Sequence, residues 1–89
     1  MIQVGSKVRS FDFDAAPDGR SLEGPRACYV EGTVIGFVKH EGCERYEIRV
    51  ERDVFRGEDS DRRIGRVVIP PLNGTPSMLG GTTNFVELV

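Results

Sequence analysis

The chain has no tryptophan, a single histidine, only two cysteines and little net charge in its 89 residues. One histidine and two cysteines leave no ligand set of the usual Cys/His metal kind. A net charge of −2 and a pI near 5.3 argue against a general binder of phosphate backbones, which is normally basic. No apolar run approaches the roughly 18 residues that a membrane-spanning helix needs. The opening MIQVGSKVRS lacks the apolar centre of a secretory signal. The expectation is a cytoplasmic protein with no membrane association. No Gly-x-x-x-x-Gly-Lys-Ser/Thr run is present, and no cofactor is expected.

What is present favours strands. Val, Ile and Phe outweigh Leu and Ala, and eleven Gly and five Pro supply turns without low-complexity runs. A chain this short forms one domain, residues 1–89, and buries only about 60% of its unfolded surface. Ten of the twelve basic residues are Arg. Arg suits planar, bidentate recognition better than Lys, although it is also common wherever genomes are GC-rich.

Residues 27–54, ACYVEGTVIGFVKHEGCERYEIRVERDV, read as two long strands around a turn at Glu41-Gly42. In the first, Cys28, Val30, Gly32, Val34, Gly36 and Val38 share one face. Gly32 and Gly36 mark sharp bending or close backbone approach. In the second, Tyr46, Ile48, Val50 and Val54 point one way, with Arg52 the exception. Glu47, Arg49, Glu51 and Asp53 point the other way. This register sets His40 opposite Cys43 and Cys28 opposite Phe55. At about 3.3 Å per residue the two thiols then lie tens of ångströms apart, far beyond the roughly 7 Å that a disulfide tolerates. Free, structural thiols are expected.

The remaining segments are shorter. Residues 7–14 form a first strand whose core side is taken as Phe11 and Phe13, with Val8 on the opposite parity. Residues 15–26 are a long polar loop with turns at Pro17-Asp18-Gly19 and Gly24-Pro25. Residues 55–62, FRGEDSDR, read as a charged loop. A fourth strand covers 64–69 and ends at Pro70-Pro71. Residues 70–84 form a second irregular loop, and 85–89 a short closing strand.

Three groups of residues are candidates for chemistry. Asp12, Asp14 and Asp53 lie near strand ends, where carboxylates can do acid/base work or hold a divalent cation, or can simply cap turns. His40 and Cys43 face each other across a turn, but an exposed turn offers no shielded pocket for a nucleophile. The third group is the best polar site. Arg62, Arg63 and Arg66 bring charge and planarity. Asn73, Gly74, Thr75, Thr82, Thr83 and Asn84 bring hydrogen bonds and close backbone approach. The plainer alternative for both halves is a solvated strand face and a connector that caps its own backbone.

Val4-Gly5-Ser6-Lys7-Val8, Tyr29-Val30-Glu31-Gly32-Thr33-Val34 and Arg45-Tyr46-Glu47-Ile48-Arg49-Val50 follow a pattern. An opening strand precedes one with Gly before an apolar residue, and then a Tyr-x-apolar strand. Across about half of the chain, and at the level of the fold, this resembles the SH3-like, Tudor-like and KOW-type small barrels. The chain departs from the Tudor pattern in having no Trp and two Tyr for an aromatic cage, and from the KOW pattern in not being basic. The resemblance implies an all-β, five-stranded SH3-like antiparallel barrel with two long irregular loops. Size and single-domain build also resemble the accessory proteins of tailed phages. Together these readings predict a non-enzymatic binding module that recognises a protein partner, with a homodimer compatible with an exposed strand edge. The alternatives are binding of a small anionic ligand, nucleotide or nucleic acid at 62–84, and a small metal-dependent enzyme.

Overall fold

A computed structural model describes residues 1–11, 28–75 and 86–89. Its strands are β1 (Lys7–Phe11), β2 (Tyr29–His40), β3 (Cys43–Phe55), β4 (Glu58–Ser60), β5 (Val67–Val68) and β6 (Val86–Leu88). They form one antiparallel sheet in the order β4-β3-β2-β1-β6, with β5 also on β3. The protein is all-β, as its composition predicts. Among the described residues no helix is long and apolar enough to cross a membrane.

The β2–β3 hairpin is the spine. His40 pairs with Cys43, and the turn between them has positive φ at both Glu41 (53°) and Gly42 (77°), the geometry that matches the twist of a two-residue hairpin. The ladder shifts register twice, between Glu31 and Gly32 and between Val34 and Gly36. Both expected bends are therefore present, at Gly32 and Gly36. At Gly32 the reason is close approach: a Cβ there would collide with the Arg49 carbonyl, so only glycine lets the strands meet.

The first shift explains Arg52. Glu31 pairs with Arg52 and Gly32 with Val50, so Glu51 is an extra residue on β3. Beyond it the parity of β3 inverts. Tyr46, Ile48 and Val50 are buried in strict alternation, whereas Asp53, expected to face outward, pairs with Val30 and is buried. A strict period of two cannot carry across a bulge.

Where five strands are expected, the described residues hold six. The stretch 55–62 is not a loop: Arg56 (φ 53°) and Gly57 (φ 82°) form a second two-residue turn, and β4 pairs back along β3 from Asp53 to Phe55. The expected strand over 64–69 shortens to β5, because Arg63 to Arg66 turn instead. After β4 the chain keeps to the same edge of β3. Val50 N–H donates to the Arg66 carbonyl (2.8 Å), β5 pairs with Ile48 and Arg49, and Tyr46 N–H donates to the Pro70 carbonyl (2.9 Å). Among the described residues the backbone ladder does not close into the expected barrel. Its two margins, this edge and β6, are joined by a side chain described below.

The core lies on the concave side of the curled sheet. Val8, Val34, Tyr46, Ile48 and Val86 cluster there, with Ile2, Val68 and Leu72 packed against them. The β1 core parity is thus Val8 and Ser10. Phe11 is also buried, but it packs edge-on against Tyr29, its ladder partner in β2, with ring centroids 5.6 Å apart. Phe13 and the loop 15–26 lie outside the described residues, as does the later part of the loop 70–84. The opposite face carries a row of alternating charge, Glu87, Arg9, Glu31, Arg52 and Asp59, each within 3.9 Å of the next. These pairs cross the sheet from β6 through β1, β2 and β3 to β4.

Candidate functional site

The site grows out of the extra residue at Glu51. Because β3 gains a residue there, the strand running back along its edge must also detour, and it does so between Ser60 and Gly65. Ser60 pairs with Asp53, while Gly65 N–H donates to the Val50 carbonyl (2.8 Å). Residues 61–64 bow away from the sheet, and the inward-facing Asp53 carboxylate holds them. Its Oδ2 accepts from the Arg63 backbone N–H (3.1 Å), and its Oδ1 from Arg63 Nε (3.1 Å) and Nη2 (2.6 Å). A carboxylate with a fork donor and a backbone donor is strongly favoured in its charged form. The Arg63 guanidinium therefore holds the Asp53 carboxyl below its ordinary range, against the opposing effect of burial.

The detour closes on itself. Arg66 N–H donates to the Arg63 carbonyl (3.0 Å), with Gly65 at φ 84° in the third position of the turn, where Gly is favoured. Arg62 N–H donates to Ser60 Oγ (3.3 Å). The turn thus presents Arg62 and Arg66 to solvent on a fixed frame. Between it and the β3–β4 hairpin is a hollow of about 500 Å³, lined by the three arginines, Asp53, Ser60, Phe55, Glu58 and Asp59. Phe55 is 50% exposed at the rim, with the Arg56 guanidinium 5.4 Å above its ring. Three acidic residues face three arginines, but not on equal terms. Asp53 is engaged by Arg63, and Asp59 by Arg52 (3.0 Å). Among the described residues the guanidinium groups of Arg62 and Arg66 have no ion-pair partner.

The arginine half of the expected site is therefore one place, and the other half is not part of it. Asn73 lines a second, mostly apolar hollow of about 510 Å³ together with Ile2, Phe37, Tyr46, Leu72, Val86 and Leu88. Its amide is already used at both ends. Nδ2 donates to the Val86 carbonyl (2.6 Å), and Oδ1 accepts the Val86 N–H (2.9 Å). One side chain thereby substitutes for a strand pairing and joins the β5 edge to β6. Gly74 (φ 90°) and Thr75, whose N–H donates to the Leu72 carbonyl (3.1 Å), form the turn that follows. Thr82, Thr83 and Asn84 lie outside the described residues.

Asp53 is the residue of this site whose placement alternation missed, since strict alternation put it outside and it is buried. The one visible signal was Arg52, a charged residue on the apolar parity of β3.

The other candidates come out as follows. Asp12 and Asp14 lie outside the described residues, and Asp53 is committed to Arg63. Among the described residues no three His, Cys, Asp or Glu side chains gather to hold a metal. His40 and Cys43 do face each other at the exposed hairpin tip, with Glu41 Oε1 3.7 Å from His40 Nε2, too far for a hydrogen bond. Both thiols are free; Cys28 is buried, and its sulfur accepts the Arg56 N–H (3.3 Å). Comparison with known protein families, with curated proteins and with solved structures finds no match for this chain.

Proposed function

We propose that this protein is a non-enzymatic binding module whose hollow at Arg62 and Arg66 receives an acidic segment of a protein partner. The observation that carries the reading is a pair of exposed guanidiniums, without ion-pair partners among the described residues, on a turn pinned by a buried carboxylate. The held turn fixes where the two side chains start, so no backbone ordering is added on binding, and Arg pairs bidentately with carboxylates. Phe55 at the rim adds apolar contact of the kind found at interface centres. An SH3-like barrel is the architecture we propose for the module. The curl of the sheet about Val8, Val34 and Ile48 and the side-chain bridge from Asn73 to β6 support it. An accessory or inhibitor protein of a tailed phage fits this reading through its size alone.

The test is selection from a random-peptide library against the purified protein, followed by anisotropy titration of the enriched peptides. Acidic sequences should be enriched, and a joint Arg62→Ala/Arg66→Ala variant should weaken them at least tenfold. Enrichment indifferent to both substitutions removes the site. A second reading rests on volume, because about 500 Å³ is within the range of small-ligand pockets. On that reading a nucleotide or other small anion raises the Tm of the protein but not that of Arg66→Ala.

A further inference from the structure

The geometry points to Asn73 as a site of spontaneous deamidation that irreversibly releases the join between the two margins of the sheet. Asn73 is followed by Gly74. In such a pair the backbone nitrogen of the glycine, unhindered by a side chain, can reach the Asn Cγ. The deprotonated Gly74 nitrogen attacks Cγ, the Cγ–Nδ2 bond breaks and ammonia leaves. Water then opens the resulting succinimide to aspartate or isoaspartate. No oxidant, metal or enzyme is needed. The turn is exposed, with Gly74 at φ 90°.

The structure adds what the dipeptide alone does not say. The leaving nitrogen, Nδ2, is the atom that donates to the Val86 carbonyl at 2.6 Å, and Oδ1 holds the Val86 N–H. While both bonds stand, the amide faces β6 and Cγ is kept from turning toward Gly74. The join therefore protects the amide, and opening the join exposes it. After reaction the donor is gone. A carboxylate oxygen would meet the Val86 carbonyl oxygen, acceptor against acceptor, with Glu87 lining the same hollow. The aspartate form cannot close the join again, and among the described residues β6 then keeps its ladder pairing with β1 alone.

The experiment ages the intact protein at mildly alkaline pH and maps the tryptic peptide 67–89 by mass spectrometry, with a free peptide of residues 71–75 as the comparator. Conversion is expected at Asn73, slower than in the free peptide, and accelerated to the peptide's rate by urea. The converted fraction, separated by ion exchange, is expected to melt roughly 5–15 °C below the unaged protein. Asn73→Asp should reproduce that shift, and if it fails to fold the separated fraction still supplies the measurement. Absence of conversion at Asn73, conversion as fast as in the free peptide, or an unchanged Tm of the converted fraction would each overturn the proposal.

Discussion

Two seams of this sheet are closed by one side chain each, and they differ in charge and in exposure. At the β3 margin the buried Asp53 carboxylate gathers the Arg63 backbone and its guanidinium, which holds residues 61–64 in their detour. At the β6 margin the Asn73 amide gathers the Val86 N–H and carbonyl, in an exposed residue. An amide can replace a strand because it carries a donor and an acceptor side by side, as a backbone does. A carboxylate accepts only, so it suits a turn whose donors all point inward. The charged seam is expected to be the stronger and to respond to acid. The neutral seam is expected to be weaker and indifferent to acid, with a vulnerability that is chemical.

The largest expected effect follows from the charged seam. Asp53→Ala removes the buried carboxylate that accepts from both the Arg63 N–H and its guanidinium. Breaking a buried pair costs about 3–5 kcal/mol, and because Arg63 remains a third exposed we expect about 2–4 kcal/mol, a fall in Tm of roughly 10–20 °C. The pH dependence carries the same signature. The Asp53 carboxyl is held below its ordinary range, so its contribution is fully present above about pH 4 and is lost as pH falls through the lowered folded value. Asp53→Asn should lose that acid component of the stability curve while remaining as flat as wild type above about pH 5. An acid limb identical in the two proteins would assign the acid response to other carboxylates.

These seams also mark how far the sequence could be read. Gly beside a charged residue, between alternating strands, identified the turn at Glu41-Gly42. The same signal at Arg56-Gly57 went unread because Phe55, Glu58 and Asp59 offer no apolar alternation on either side. The core face of β2 was legible because Val30, Gly32 and Val34 precede the second register shift. Asp53 was misplaced because the extra residue Glu51 inverts the parity, and a bulge leaves no residue type of its own. Phe11 suggested the wrong core parity for β1 because it is buried against Tyr29 rather than in the main cluster. The arginines of the candidate site were legible as a cluster, since they are close in sequence. Asn73 was legible as a hydrogen-bonding residue, but its partner lies 13 residues on, and only the fold brings Val86 to it.

The neutral seam should break more gently. Asn73→Ala removes two hydrogen bonds and leaves a backbone donor and acceptor on Val86, at a cost of about 1–2 kcal/mol, or roughly 5–10 °C in Tm. Its acid limb should match that of wild type, which Asp53→Asn should not. The same substitution should leave peptide binding at Arg62 and Arg66 unchanged, because Asn73 lines the other hollow.

The smallest expected effect is the interaction between the seams. Asp53 and Asn73 share no hydrogen-bond partner, and the hollows they line share no residue. Their free energies should therefore add, with a coupling below about 0.5 kcal/mol in a cycle of Asp53→Asn, Asn73→Ala and the double variant, measured by urea denaturation. β3 is the one element both seams lean on: Asp53 lies within it, and the chain leading to Asn73 pairs with it through Tyr46, Ile48 and Val50. A coupling above about 1 kcal/mol would mean that strain at the detour travels along this edge as far as residue 73. The two seams would then be one device, and binding at Arg62 and Arg66 would itself alter how often the join at Asn73 opens.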